Sequence, residues 1–114
     1  MKKIIAFDQD DTLNITKLPI NLETVALLTK ILDIYEICII SGTNWEVMKK
    51  NDVDPLTKAS PEQLQRLHIM PTTGTQYWHY VDNKWTREYA HFLSQEQVDL
   101  ITNELERAAR HLGY

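Results

Sequence analysis

The residues best suited to chemistry are three carboxylates that fall within four positions near the start of the chain. Asp8, Asp10 and Asp11 follow the apolar run 4–7, and Thr12 comes next. Three negative charges this close together repel one another and favour neither strand nor helix. Mg²⁺ relieves such repulsion, because it is held by one or two carboxylates together with water and substrate phosphate. The spacing predicts a magnesium site, and the alternative is an acidic loop or helix cap that satisfies its own charges.

A second candidate lies at Ser41 and Gly42, directly after the apolar run 37–40. A hydroxyl, a closely approachable backbone and the start of a helix together form an anion site. The alternative is a turn in which Ser41 only caps the helix. If Ser41 lies on a strand next to Asp8, a cation site and an anion site share one crevice, as phosphoryl transfer requires.

The elements that position these residues alternate between strand and helix. Continuous apolar runs at 4–7, 37–40 and 68–70 predict strands that are buried in a parallel sheet. Apolar residues at helical spacing predict a helix between the first two strands: Leu22, Val25, Leu28, Leu32 and Tyr35. This strand–helix–strand order is typical of an α/β, Rossmann-like fold.

Two further helices are expected between the second and third strands. Residues 43–46 have the spacing of a capping box, so one helix is predicted to start directly after Gly42. Residues 60–63 repeat that spacing, with Pro61 at the first helical position. The polar segment 51–59 between them is predicted to be a loop.

The pattern changes after Gly74. Residues 76–91 are rich in aromatic side chains around a turn at 82–84, which predicts a β-hairpin. A capping box at Ser94 then starts a helix with one apolar stripe: Val98, Ile101, Leu105, Ala108, Ala109 and Leu112. The stripe is expected to pack against the hairpin. Any part of it left uncovered would form an apolar patch that favours self-association through the helix or hairpin.

Composition narrows the functional classes. The chain has 114 residues, 43% of them apolar, and a formal net charge of −4. An acidic balance argues against a nucleic-acid partner or an anionic membrane surface. No apolar run approaches the roughly 20 residues that span a bilayer. The single cysteine, Cys38, fits a reducing cytoplasm, which is the expected location.

The motifs resemble those of one enzyme superfamily. Residues 8–12 fit the DxDxT signature of the haloacid-dehalogenase-like (HAD) phosphohydrolases, and residues 40–42 resemble the second motif of that superfamily. The hairpin and long helix that follow are similar to the opening of the α/β cap in the phosphomannomutase and sugar-phosphate phosphatase branch. The resemblance implies an incomplete HAD-type core over residues 1–73 and the first half of an α+β cap over residues 74–114.

The resemblance also implies roles for individual residues. Asp8 would be the nucleophile that forms an aspartyl-phosphate, and Asp10 the general acid and then the general base. Both would contact Mg²⁺, Asp10 through its backbone carbonyl, and Thr12 would hold the loop and orient Asp10. Ser41 and the Gly42 amide would bind the transferring phosphoryl group. The substrate would be a small phosphorylated metabolite such as a sugar phosphate, either hydrolysed or isomerised.

The resemblance is incomplete in two respects. Asp11 stands where the superfamily commonly has glycine. The phosphate-binding lysine and the later metal-binding carboxylates of the superfamily have no counterpart before Tyr114, so the chain is expected to be the N-terminal portion of a larger enzyme and to be inactive by itself. Two other hypotheses stay open, which are a receiver-like phospho-acceptor signalling domain and a non-catalytic interaction protein of the HAD fold.

Overall fold

A five-stranded mixed sheet forms the centre of the molecule. The structure is a computed structural model and describes residues 3–114. The strands lie side by side in chain order; β1, β2 and β3 are parallel, whereas β4 and β5 form an antiparallel hairpin that pairs with β3. The strands are β1 Ile4–Asp8, β2 Glu36–Ile40, β3 Leu67–Met70, β4 Gln76–Val81 and β5 Lys84–Ala90. The predicted α/β class, the three parallel strands and the hairpin are confirmed.

Four α-helices connect or follow these strands. They are α1 Leu22–Ile31, α2 Trp45–Met48, α3 Pro61–Leu64 and α4 Gln95–His111. Complete capping boxes start α3 at Ser60 and α4 at Ser94, as the sequence predicts. Helix α2 starts one residue later than expected, because the Asn44 side chain rather than Thr43 accepts the hydrogen bond from the Val47 N–H.

A π-helical turn, Lys49–Val53, continues α2. The prediction of a loop from residue 51 is therefore wrong over its first three residues, Asn51, Asp52 and Val53, all of which are buried. Their polar composition resembles that of an exposed turn. Tertiary packing outweighs this local preference, because the segment lies beneath the loop that follows β1, where the Asn51 carbonyl accepts a hydrogen bond from the Ile20 N–H at 3.0 Å.

The hydrophobic core lies between one face of the sheet, helices α1 and α2, and the segment that follows α2. Register pairs Ile37 with Leu67 and Ile39 with Ile69, and all four side chains are fully buried. The core residues contributed by the helices and loops include Leu28, Leu32, Trp45, Met48, Val53 and Leu56. Leu22 is an exception to the predicted stripe of α1, because it is 86% exposed.

Three tryptophans join the hairpin to this core. Trp45 of α2 stacks on Trp78 of β4, with ring centroids 4.1 Å apart and planes 2° from parallel. Trp85 of β5 lies 5.7 Å from the same Trp45 ring. Strands on both sides of the predicted boundary at residues 73 and 74 thus belong to one sheet, and the division into core and cap stays a prediction.

Helix α4 contributes nothing to the interior. None of its residues is buried, and Leu105, in the middle of its apolar stripe, is 66% exposed. The prediction that this stripe packs against the hairpin is wrong. The stripe follows from the sequence, but no other described element covers it.

The sheet face opposite the helices carries a polar aromatic cluster. The His68 ring contacts the Tyr77 hydroxyl and Glu36, and His79 contacts Glu88. The thiol of Cys38 is buried in the middle of β2, and this burial raises its pKa. Within residues 3–114, no helix is long and apolar enough to cross a membrane.

Candidate phosphoryl-transfer site

The two predicted motifs lie side by side at the carboxyl end of the parallel strands. Asp8 is the last residue of β1 and pairs in register with Ile40, the last residue of β2. Neighbouring strands lie about 4.8 Å apart, so Ser41, one residue further on, is adjacent to the start of the Asp8 loop. The sheet therefore brings both motifs to the carboxyl ends of its parallel strands, where open α/β sheets bind ligands.

The loop after Asp8 is closed by its own backbone. The Gln9 carbonyl accepts hydrogen bonds from the amides of Thr12, at 3.1 Å, and Leu13, at 2.9 Å. The Thr12 hydroxyl then donates to Asp8 Oδ2 at 3.1 Å. Leu13 and Ile20 are buried in the core and anchor the two ends of the loop. Thr12 is thus placed to orient Asp8, which is exposed to solvent, and not Asp10, the residue that it was expected to orient.

Asp10 and Asp11 point into different surroundings. Asp10 is half-buried, and its Oδ1 accepts a hydrogen bond from the Lys17 N–H at 3.3 Å. Asp11 has a left-handed backbone, with φ of 60°, which accounts for the glycine that the resemblance leads one to expect there. Its carboxylate accepts a hydrogen bond from the Thr16 N–H at 3.1 Å. Hydrogen bonding by the Thr16 side chain, and then by this N–H, lowers the Asp11 pKa. Asp10 and Asp11 therefore each stabilise the loop by accepting one of its backbone N–H groups.

Ser41 lies at the centre of a hydrogen-bonded turn. Its hydroxyl oxygen accepts a hydrogen bond from the Thr43 N–H at 3.3 Å, and its carbonyl accepts from the Thr73 N–H at 2.8 Å. Gly42 is exposed, and a β-carbon added there would make only an ordinary contact with Thr73, at 3.7 Å. Gly42 therefore leaves its amide open to a ligand without a strained backbone.

A strained segment beside Ser41 escaped the sequence interpretation. Thr72 and Thr73 follow β3 and have positive φ values of 50° and 60°. This conformation is rare for β-branched residues and costs about 1–3 kcal/mol per residue. The only sequence signal for this conformation is the pair Thr73-Gly74, which stands where the family that the chain resembles has an Asn-Gly pair. Backbone strain of this kind concentrates at ligand sites, so we include the Thr73 hydroxyl among the candidate site residues.

The donor set limits which metal fits. Among residues 3–114 there is no group of three or more His, Cys, Asp and Glu side chains arranged to hold a metal ion. What the described residues supply is the pair Asp8 and Asp10, with oxygen atoms at an open edge. This pair fits Mg²⁺, which takes one or two carboxylates and keeps several waters, and does not fit a closed structural zinc site.

A buried polar pair under the loop was also not predicted from the sequence. Gln9 is 1% exposed and Asp52, from the π-helical turn, is fully buried. Burial raises the pKa of Asp52 to about 7; the neighbouring Gln9 amide opposes this shift and the Asp10 charge adds to it. No sequence signal links position 9 to position 52, because only the tertiary fold brings them together.

Comparison with known proteins places the fold. No protein-family model matches the chain, and no curated protein matches it in sequence. The structure of Plasmodium falciparum IMP-nucleotidase is similar over 98% of this chain and 32% of that one, with a TM-score of 0.70 and 18% identity. A haloacid dehalogenase-like hydrolase from Bacteroides thetaiotaomicron is similar over 97% of this chain and 38% of that one, with a TM-score of 0.65 and 20% identity.

A hypothetical protein from Geobacillus kaustophilus HTA426 is similar over 96% of this chain and 38% of that one, with a TM-score of 0.59 and 21% identity. The chain spans about a third of the length of these structures. At such low identity the likeness concerns the fold alone. This mixed five-stranded sheet with its helices has the fold found in part of HAD-like hydrolases.

Proposed function

We propose that the chain carries the nucleophile half of a HAD-like phosphohydrolase site, which acts on a small phosphorylated metabolite through an aspartyl-phosphate. The observation that carries the proposal is the register of Asp8 with Ile40, which sets the carboxylates beside Ser41 at one edge of the sheet. The likeness of the fold to HAD-like hydrolases supports the same reaction class.

The chemistry assigned to the chain's own residues is a two-step transfer. Asp8 attacks phosphorus through the carboxylate oxygen that does not accept the Thr12 hydrogen bond. The bond from phosphorus to the leaving alkoxide breaks at the same time, and Asp10 donates a proton to that alkoxide. Asp10 then takes a proton from water, whose oxygen attacks the phosphorus and releases Asp8. The Ser41 hydroxyl and the Gly42 amide would hold the non-bridging phosphoryl oxygens.

Asp8 and Asp10 would hold Mg²⁺. When bound, the ion would neutralise negative charge on the phosphoryl group and on the two carboxylates. The half-buried position of Asp10 and its single long hydrogen bond to Lys17 suit a carboxyl that exchanges a proton during turnover.

The substrate class rests on the resemblance to the sugar-phosphate branch, where the same intermediate serves phosphatases and phosphomutases. IMP-nucleotidase is the name of one structural neighbour, so a nucleoside monophosphate is the second substrate to compare. The receiver-like alternative is disfavoured by the strand order, because receiver-like sheets place β1 between β2 and β3, whereas here β2 lies between the other two. An interaction protein of the same fold would keep the geometry without the chemistry.

The test uses a phosphoryl mimic and does not require turnover. We expect beryllofluoride with Mg²⁺ to raise the melting temperature of the wild-type chain, because the mimic binds an aspartate oxygen. Asp8→Asn should abolish the shift. Asp11→Asn is the matched control, since it alters an exposed carboxylate of the same loop and asparagine tolerates a positive φ. An equal shift in Asp8→Asn and in the wild type would remove Asp8 as the nucleophile.

A further inference from the structure

Asp52 and Gln9 form a buried polar pair to which the two-step transfer assigns no role. Both carboxylate oxygens of Asp52 and both amide atoms of Gln9 are inaccessible to solvent and lack a hydrogen bond of good geometry among the described residues. Leaving a buried polar group unsatisfied costs about 1–3 kcal/mol. The fold therefore tolerates an unfavourable arrangement here, and Asn14 Oδ1, in the loop after β1, is likewise buried without a partner.

The chemistry of the pair is complementary. Its burial keeps Asp52 largely protonated below neutral pH. A neutral carboxyl offers one donor and one acceptor, and the primary amide of Gln9 offers both as well. Two such groups in contact can exchange a donor and an acceptor. Few other arrangements would allow a carboxyl to stay in such an apolar interior.

The position of the pair connects it to the candidate site. Gln9 stands between Asp8 and Asp10, and its carbonyl closes the loop by accepting the Thr12 and Leu13 amides. The opposite wall is the π-helical turn, where the neighbouring Asn51 carbonyl holds the far end of the same loop through Ile20. Single π turns occur frequently at functional sites.

We propose that Asp52 is a positioning residue: from the π-helical turn it holds the Gln9 amide and thereby fixes the directions in which Asp8 and Asp10 leave the loop. This inference rests on the proposed phosphoryl-transfer function. It assigns Asp52 no contact with substrate or metal.

A purely structural role and a positioning role predict opposite results for an apolar replacement. Leucine has the branched shape of aspartate and no buried polar group to satisfy, but it is larger. Its overpacking costs about 1–3 kcal/mol, which the relieved desolvation of the carboxyl offsets, so Asp52→Leu should leave the unliganded protein about as stable as the wild type. If Asp52 positions the loop, the same variant should nevertheless bind the phosphoryl mimic less well, because small misplacements at a site are costly.

The experiment measures two quantities for each variant of the 114-residue chain: the melting temperature without ligand and the apparent Kd for beryllofluoride at fixed Mg²⁺. We expect Asp52→Leu to weaken binding about tenfold without lowering the unliganded melting temperature. Asp52→Asn should stay within about threefold of the wild type, because an amide can still pair with Gln9. Asp54→Asn is the control, an exposed carboxylate two residues away that pairs with Lys49.

Each outcome supports or overturns a specific statement. Wild-type affinity in Asp52→Leu, or equal losses in Asp52→Asn and Asp52→Leu, would overturn the positioning role and leave the proposed function intact. Absence of any shift in the wild-type chain would overturn the proposed function and this inference with it.

A second variant covers the case in which Asp52→Leu does not fold. Gln9→Met removes the amide at nearly constant volume and should weaken binding to the same extent. The double variant Gln9→Met/Asp52→Leu should bind no worse than either single variant, because both changes remove one interaction. Additive losses in the double variant, or wild-type affinity in Gln9→Met, would contradict the proposal.

Discussion

Helices α1 and α4 both carry a regular apolar stripe, yet only α1 buries it. Leu28 of α1 and Leu32 at its C-cap are 3% and 0% exposed, whereas Leu105 of α4 is 66% exposed. The difference does not come from the local sequence, because both helices have side-chain caps and helical spacing. Periodicity locates an apolar stripe, but the surface that covers the stripe is decided by the rest of the fold.

The largest expected effect contrasts one leucine from each helix. Leu32→Ala should lower the free energy of unfolding by about 2–5 kcal/mol, because it opens a cavity in a closely packed core. Leu105→Ala should change it by less than about 0.5 kcal/mol, since the side chain already meets solvent. Urea denaturation of both variants checks this. Equal losses would mean that α4 is packed in solution.

The second effect is a pH dependence of the free energy of unfolding that arises from the buried carboxyl of Asp52. Folding raises the Asp52 pKa from its ordinary value of 3.8 to about 7, so the folded state binds this proton more tightly than the unfolded state. The contribution of Asp52 to stability is therefore largest below its unfolded pKa and falls as pH rises towards 7. Between pH 4.5 and 6.5 the loss should be about 2–3 kcal/mol, from about 1.4 kcal/mol per pH unit.

Asp52→Asn isolates that contribution, because it cannot titrate. We expect the free energy of unfolding of the wild type, relative to that of Asp52→Asn, to decrease over this pH interval and to level off above pH 7. A constant difference from pH 4.5 to 7.5 would show that Asp52 ionises as easily in the folded state as in the unfolded state.

The smallest effect compares two identical caps. Ser60 starts α3 and Ser94 starts α4, and each forms a capping box with a glutamine three residues later. Ser60→Ala should lower the free energy of global unfolding by about 1 kcal/mol. Ser94→Ala should instead reduce the helical circular dichroism signal before the main transition, because α4 can fray without opening the core. If both variants shift the main transition, α4 unfolds cooperatively with the core and this prediction is wrong.

The same contrast explains what sequence patterns could and could not predict. The strands, the hairpin and the caps at Ser60 and Ser94 depend on residues within a few positions of each other, and these predictions are confirmed. The adjacency of Asp8 and Ser41 is a condition of the phosphoryl-transfer hypothesis, and the register of β1 with β2 meets it. The roles of Asp8, Asp10, Thr12, Ser41 and Gly42 stay predictions.

The features that escaped prediction are tertiary. The π-helical turn at Lys49–Val53 contains polar residues typical of loops, and its burial depends on a loop 30 or more positions earlier in the chain. The left-handed conformation of Thr73 contradicts its own preference and is held by a hydrogen bond to Ser41. No local pattern predicts a conformation that a local preference opposes.

The burial of Cys38 has a practical consequence for work on this chain. Cys38 is the only cysteine, and its shielded thiol with a raised pKa should react slowly with maleimide or methanethiosulfonate reagents. A new cysteine on exposed α4, such as Leu105→Cys, would then take a spin label selectively without removal of the native thiol. Dipolar distances between labels would report directly on whether two copies associate through α4.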